Sequence, residues 1–531
     1  MPFILISWVP HQLIIFMLGS VDAQTLLSVG THLNAAIVLI AGVGRYALLN
    51  LSNSNFWSDE ASSFYTALGW PPPGEAAGSL ADAWYWTLTT HVEPGLFNLM
   101  ERFWALVFGT EIHVLRMLPF ALFCVYLIAI VSAGRLLRLP WFIAISVAGV
   151  MLLENITPYY GVELRPSVAG LATSVAMPVT AIWFSLEPSG KRLTLFILGV
   201  AFFGSMQFNS LPILVAVSAM LFVAAVQTRE PRSRSRILVA AFIAAVWQPV
   251  VYLLTRGNPM QATGQSSLSA IPDTLIPNMS ANRVLEVLAT NFLSATALPR
   301  TIFLVAVPLL WVVGRIERPG QLKAHFDWSI NAMWIVVAVA TAGTAALGVR
   351  GVMPWILGTR WSIAEVGLIA VSLVGLVGLL AHFFPWRRPL IQWLVVLAAT
   401  LATVAGAYRI AIYERPAGVD WRPALEVILS GEPGGTIVDL WTYPEIRYWV
   451  ELSGDYESYT DAWLRHDIQP SAGEASADAQ IVSDFFVSDG DRLLLRNQQV
   501  LEGVTVPDEV KIIVLDRDDA GMAQGPVLLV K

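Results

Sequence analysis

Apolar positions in this chain fall into long runs broken by short polar interruptions, not into the alternation of half-buried strands or the narrow stripe of surface helices. A helix needs about 20 apolar residues to cross a hydrocarbon core about 30 Å thick. The pattern predicts spans near 27–50, 112–134, 139–156, 166–186, 193–208, 210–226, 237–255, 298–314, 329–349, 362–384 and 389–412. The stretch 193–226 could be one apolar run, but as a single helix it would measure ~51 Å, too long for one crossing. Gln207, Asn209, Ser210 and Pro212 interrupt it midway, so two short spans are expected. Residues 1–26 form an apolar segment of open status. They lack the basic start of a signal peptide, and a further span, an interfacial helix and a later start at Met17 all fit.

Composition agrees with the pattern. Of 531 residues, 56% are hydrophobic and only 13% charged, about half the usual charged share of a globular protein, which excludes secreted, nucleic-acid-binding and disordered classes. Charge is unevenly spread. Residues 413–531 hold 9 Lys+Arg against 22 Asp+Glu, which leaves 23 basic and 17 acidic residues before them. A basic membrane body (27–412) therefore precedes an acidic, water-soluble domain (413–531). The single cysteine, Cys124, lies in an apolar run and rules out a disulfide within one chain.

Basic residues between the spans gather at Arg135 and Arg138, at Lys191 and Arg192, at Arg229 to Arg236, at Arg315 to Lys323, and at Arg387 and Arg388. With eleven spans all five clusters share one face, as the positive-inside rule expects of the cytoplasmic side. Merging 193–226 would put Lys191 and the Arg229–Arg236 cluster on opposite faces, a second reason to divide it. The N-terminus is then cytoplasmic and the acidic domain extracytoplasmic, as in a multi-pass protein of a bacterial inner membrane with a periplasmic domain.

Polar residues able to do chemistry collect on the outer side. The first outer loop, 51–111, carries Trp57-Ser58-Asp59-Glu60-Ala61, a proline-rich turn at Pro71-Pro72-Pro73-Gly74, and His91-Val92-Glu93-Pro94. An amphipathic stretch from Phe97 to Phe108 follows and suits a helix lying in the membrane surface. Later outer segments are Pro158 to Pro166, the polar stretch 256–297, and Arg350 to Trp361. A carboxylate next to the membrane is costly unless used or paired, which singles out Asp59 and Glu60. Ser58-Asp59-Glu60 would equally begin a helix. A guanidinium forks onto phosphate oxygens, which singles out Arg165 and Arg360, with Arg350 and Arg256 behind them. Anchoring of span ends at lipid headgroups needs only some cation at that depth. Only 4 lysines stand against 28 arginines, so the choice of arginine at any one place carries little weight.

Four of these features together resemble the membrane glycosyltransferases of the GT-C fold, nearest to bacterial relatives of the protein mannosyltransferases and the aminoarabinose transferase. They are Trp57-Ser58-Asp59-Glu60-Ala61; His91-x-x-Pro94 with Arg116-x-x-Pro119; Tyr160-Gly161-x-Glu163-x-Arg165-Pro166; and Thr359-Arg360-Trp361, in that order over about 27–412. The family usually has a proline or a small residue where Glu93 stands, and Tyr where Trp361 stands. The resemblance implies transfer of a sugar from a polyprenyl-phosphate donor to a hydroxyl of an envelope glycan, lipid or protein, with inversion at the anomeric carbon. Asp59 would be the general base and Glu60 would orient the acceptor or support Asp59. Arg165, Arg360, Arg350 and Arg256 would hold the donor phosphate. His91, Glu93, Tyr160 and Glu163 would contact the acceptor. No resident cofactor or metal is expected; His91 and Glu93 beside Asp59 are thin grounds for a divalent ion.

In the acidic domain, Thr436 to Leu440, Lys511 to Leu515 and Val527 to Val530 read as strands, and Trp421 to Leu429 and Glu445 to Leu452 as helices, which together suggest a small α/β fold. Asp489-Gly490-Asp491 before Arg492 reads as a hairpin turn. The competing function is a transporter or flippase of lipid-linked sugars, which predicts internal repeats and ionisable residues near the bilayer midplane; neither is evident. A structural subunit of an envelope assembly would place no demand on Asp59. The fold expected is thus an α-helical polytopic membrane protein of GT-C type, with about eleven spans and a C-terminal soluble α/β domain.

Overall fold

The computed structural model describes residues 23–38, 40, 44, 58–71, 77–90, 95–136, 141–152, 161, 163–206, 210–255, 370, 374, 397, 400–408, 436–438, 446–448, 468–470, 492–495, 510–514 and 527–530. The expected spans at 298–314 and 329–349 and the helix at 421–429 lie outside these residues. So do almost all of 362–384 and the apolar segment before Ala23.

Among the described residues eleven helices are bounded, all before residue 256. They are α1 (Ala23–Ile37), α2 (Ser58–Leu68), α3 (Leu80–Thr90), α4 (Leu96–Phe108), α5 (Ile112–Leu115), α6 (Met117–Leu136), α7 (Trp141–Met151), α8 (Pro166–Leu186), α9 (Gly190–Gly204), α10 (Ser210–Gln227) and α11 (Pro231–Thr255). Among the described residues three helical stretches are long and apolar enough to cross a membrane: Ile112–Leu136, Pro166–Leu186 and Pro231–Val251. This is a membrane protein.

Helices pack side by side in the pairs α1 on α7, α7 on α6, α6 on α8, and α8 on α9 and α10, while α11 packs on both α9 and α10. The apolar cluster among α8 to α11 includes Met177, Phe184, Phe196, Val200, Leu214 and Leu221, all fully buried. Leu198, Phe202, Phe222, Val226 and Phe242 on the same helices are exposed. A helix that is apolar on both its packed and its exposed sides needs lipid, not water, around it. Close approach relies on small residues. A Cβ on Gly204 would come within 2.7 Å of the Trp247 ring, so glycine lets α9 lie against α11, where Trp247 donates to Ser205 Oγ at 3.1 Å. Residues 401–408 are helical and reach α7, where a Cβ on Gly149 would meet Thr403 at 2.8 Å.

The run at 193–226 divides as expected, into α9 and α10. The helix α11 differs from its expected span. It begins at Pro231, not near 237, so Arg232, Arg234 and Arg236 stand on its first turns and not in the preceding loop. Proline suits a first helical position because its missing N–H has no intrahelical partner there.

The described residues of the loop expected at 51–111 are largely helical. Besides α4, which the amphipathic pattern predicted, they fold into α2 and α3. Ser79 and Asp82 form a capping box at the start of α3: the Ser79 amide and hydroxyl donate to Asp82 Oδ2 at 2.8 and 2.6 Å, and the Asp82 amide donates to Ser79 Oγ at 3.1 Å. These bonds hold the Asp82 carboxyl below the usual range. The α4 helix is inside out. It buries Phe97, Asn98, Glu101 and Ala105 and exposes Phe103, Leu106, Val107 and Phe108. An exposed apolar face over a partly polar buried one suits a helix resting in the membrane surface.

In the acidic domain five strands form one sheet: β1 (Thr436–Val438), β2 (Ile468–Pro470), β3 (Arg492–Leu495), β4 (Lys511–Val514) and β5 (Val527–Val530), in the order β2-β1-β3-β5-β4. β1 runs parallel to β2 and β3, and β5 antiparallel to β3 and β4. The turn expected at Asp489–Asp491 lies outside the described residues.

Candidate active site

Three of the four motifs meet at one carboxylate. Glu60 stands in the first turn of α2 and is fully buried. Arg116 Nη2 donates to its Oε2 at 3.0 Å and Arg116 Nε to its Oε1 at 3.4 Å, while the Leu164 amide donates to Oε1 at 2.9 Å. Arg116 is also fully buried and caps α5 where the chain turns into α6. Leu164 precedes Arg165, the extended residue that leads into α8, with Pro166 at the first helical position. One side chain thus ties the start of α2 to the leading ends of α6 and α8. A forked, charge-assisted pair with a further amide donor is the arrangement that makes a buried carboxylate tolerable.

Arg165 and Glu163 lie beside this pair. Arg165 Nη1 is 3.4 Å from Glu163 Oε1, and the two side chains are 11% and 4% exposed. Asp59 is the residue before Glu60 in α2, about 100° away around the helix axis. A carboxylate in a first helical turn is favoured by the exposed amides there.

A second buried acid meets α2 at Ser63, one turn on from Glu60 along the same face. Ser63 Oγ donates to Glu101 Oε2 at 2.9 Å, while Glu101 Oε1 and both polar atoms of Asn98, one turn earlier on α4, find no hydrogen-bond partner among the described residues. Burial holds the Glu101 carboxyl well above the usual carboxylate range; the Ser63 hydrogen bond opposes that and the Glu60 charge adds to it.

The far end of α2 is closed by a left-handed turn. Gly69, with φ +81°, donates to the Thr66 carbonyl at 3.1 Å and Trp70 to the Tyr65 carbonyl at 2.8 Å, with the Tyr65 and Trp70 rings 5.5 Å apart. Two arginines gather at this carbonyl-rich end. Arg102 of α4 donates to the carbonyls of Ala67, Leu68 and Gly78 at 3.3, 3.0 and 2.6 Å. Arg447 of the acidic domain donates to the Pro71 carbonyl at 2.6 Å and lies 4.6 Å over the Tyr65 ring. Its neighbour Tyr448 packs edge-on against Phe64 at 5.7 Å. Burial pushes the Tyr448 hydroxyl far up from its ordinary range. Arg447 and Tyr448 of the acidic C-terminal segment are therefore packed against the helix that carries Asp59 and Glu60.

No family model matches the chain, and no curated protein matches it. Among solved structures it is similar to the oligosaccharyltransferase of Archaeoglobus fulgidus in the apo form, with a TM-score of 0.49 at 10% identity over 89% of this chain and 69% of that one. The same enzyme in complex with Zn and sulfate gives a TM-score of 0.47 at 11% identity, over 88% and 67%. With an inhibitory peptide and a dolichol-phosphate it gives 0.42 at 10% identity, over 89% and 69%. Likeness of this degree is too distant to assign an activity, and the functional reading rests on the residues themselves.

Of the candidate residues, the structure brings Glu60, Glu163 and Arg165 together, with Asp59 adjacent in the chain. His91, Glu93, Tyr160, Arg256, Arg350 and Arg360 lie outside the described residues, as does the motif at 359–361. Among the described residues no three His, Cys, Asp or Glu side chains come together as metal ligands. Sequence reasoning gave no role to Glu101, Arg102 or Arg447. The serine-x-x-aspartate capping box at Ser79 was a legible local signal for α3; pairings between distant helices leave no comparable mark.

Proposed function

We propose that this chain is a membrane glycosyltransferase of GT-C type that moves a sugar from a polyprenyl-phosphate donor to a hydroxyl acceptor at the membrane surface. The observation that supports the reading best is the Glu60 carboxylate, fully buried between Arg116 and the Leu164 amide, which gathers three motifs from distant parts of the chain. The remaining parts of the reading are about eleven spans, a C-terminal soluble α/β domain, an outward-facing site in a bacterial inner membrane, and an acceptor that is an envelope glycan, lipid or protein.

In the proposed reaction the acceptor oxygen attacks the anomeric carbon from the face opposite the phosphate. The carbon–oxygen bond to phosphate breaks with its electron pair going to the phosphate oxygen, and inversion results. Asp59 takes the hydroxyl proton, a role worth about 10²–10⁴ in rate. Arg165, with Arg360, Arg350 and Arg256, stabilises the charge growing on the departing phosphate. Glu60 is already neutralised by Arg116 and therefore serves by holding α2 in place, not as a second base. His91, Glu93, Tyr160 and Glu163 contact the acceptor.

The test is purified full-length protein in liposomes with a panel of polyprenyl-phosphate sugars and an envelope extract, measuring release of free polyprenyl phosphate. Release that depends on acceptor and disappears in Asp59→Asn is expected. Equal release by both proteins would remove Asp59 from the mechanism. Transbilayer movement of labelled lipid without any release would replace the transferase with a flippase.

A further inference from the structure

Glu101 is a buried acid that the proposed chemistry leaves unused. It lies on the inner side of α4, and α2 meets it with Ser63, whose Oγ donates to its Oε2 at 2.9 Å. Glu60 stands one turn before Ser63 on α2, and Asn98 one turn before Glu101 on α4. All four side chains are at most 1% exposed. Apolar residues would pack two helices at lower cost than buried polar ones. We propose that Glu101 is a positioning residue, setting the first turns of α2, and with them Asp59, against α4 through the Ser63 hydroxyl. The catalytic part of this role rests on the reading of Asp59 as the base.

Three contacts then hold α2 along its length. Arg116 and the Leu164 amide fix its start at Glu60, Glu101 fixes its middle at Ser63, and Arg102 fixes its end at the Ala67 and Leu68 carbonyls. Carbonyls at a helix end point along the axis, so Arg102 resists sliding of α2 more than rolling. Ser63 projects from the side of the helix. Its bond resists rolling, the motion that would turn Asp59 away.

Glu101 does this as a neutral acid. α4 packs against α2, α3, α5 and α8. Of titratable groups, α2 brings Asp59, Glu60 and Tyr65, α3 brings Asp82 and Tyr85, and α5 brings His113, while α8 has none. The cations of this region are paired elsewhere: Arg116 with Glu60, Arg165 with Glu163, His113 with Glu111, and Arg102 with the carbonyls. Burial holds the Glu101 carboxyl well above the usual range, with the Ser63 bond opposing and the Glu60 charge adding to it. As pH rises through that raised value, a second buried carboxylate forms within reach of the Glu60 charge. Water is drawn between α2 and α4, and the hold on α2 loosens.

The test is hydrogen exchange, read by mass spectrometry, on the full-length protein in liposomes from neutral to alkaline pH, corrected for the intrinsic rise of exchange with pH. Protection of Ser58–Leu68 should fall by about tenfold for each pH unit above the folded value of Glu101. Glu101→Gln keeps an oxygen for Ser63 and cannot ionise, so protection should stay level. Ser63→Ala should lower protection already at neutral pH. In the polyprenyl-phosphate release assay, Glu101→Gln should move the alkaline limb of kcat upward by at least about one pH unit with KM unchanged. Wild-type protection that ignores pH, or an equal fall in Glu101→Gln, would overturn the hold on α2. The expected exchange with identical kcat profiles would overturn the positioning of Asp59. No release from any donor in any variant would overturn the transferase reading and the catalytic half of this role, while exchange still decides the hold.

Discussion

Arginine serves differently at the two ends of the helical body. At the end that holds α2, Arg116 is wholly buried and both arms of its fork go to one carboxylate, which is itself held by a backbone amide from a third element. At the other end, arginines lie on surfaces. Arg192 stacks on Trp183, donates to the Trp183 carbonyl and pairs with Glu187, which is 70% exposed; Arg236 donates to the Pro188 carbonyl. The first arrangement fixes relative positions of helices. The second places charge at a depth, and water or headgroups can substitute for each contact. A high arginine content therefore says little until each guanidinium's partner and burial are known.

The largest effect should come from breaking the buried pair. Glu60→Ala or Arg116→Ala leaves an uncompensated buried charge and should cost about 3–5 kcal/mol, read as loss of folded protein and a lower melting temperature. The double variant Glu60→Gln/Arg116→Met should lose clearly less than the sum of the single losses. Strict additivity would mean that the two groups do not act as a pair.

Next is the seat of the acidic domain. Arg447→Ala removes a charge-assisted bond to a carbonyl and a cation–π contact, together about 2 kcal/mol. Faster proteolysis within 413–531 is expected, with the membrane body intact. Unchanged proteolysis would mean that Tyr448 and its apolar neighbours hold the domain alone.

Smaller is the contribution of Glu101, whose sign follows from linkage. Its folded carboxyl titrates above its unfolded value of about 4.3, so the folded state binds the extra proton. Stability is full below that unfolded value and falls as pH rises toward the raised folded one. Glu101→Gln should flatten the decline and give the higher melting temperature at alkaline pH. A parallel pH dependence in both proteins would show that Glu101 is not the group responsible.

The smallest effect belongs to the surface arginines. Arg192→Gln should cost no more than about 1 kcal/mol. A loss as large as that of Arg116→Ala would erase the contrast between the two ends.

How much of this was legible in the sequence depends on the range of the interaction. The division of 193–226 was readable because Gln207, Asn209 and Pro212 act locally and parity supplied an independent check. The strand Ile468–Pro470 was not, since three residues ending in proline give no alternation to detect. Asp59, Glu60, Glu163 and Arg165 stood out by type and placement. That Arg116, 56 positions from Glu60, would be the partner is a fact of packing, and Arg116 entered the sequence reading only through its motif. Glu101 and Arg102 lay unremarked in the amphipathic stretch, because their partners, Ser63 and the Ala67 and Leu68 carbonyls, belong to another helix.

The contact of Arg447 with Pro71 joins residues 376 positions apart. At about 5–20 residues per second of synthesis, α2 is made roughly 20–75 s before the segment that will cover it. Throughout that interval the Phe64 and Tyr65 rings await their lid, and a chain interrupted anywhere in the later spans never receives it. Assembly of this region is therefore ordered in time. The catalytic candidate at its amino end emerges well before the segment that completes its surroundings.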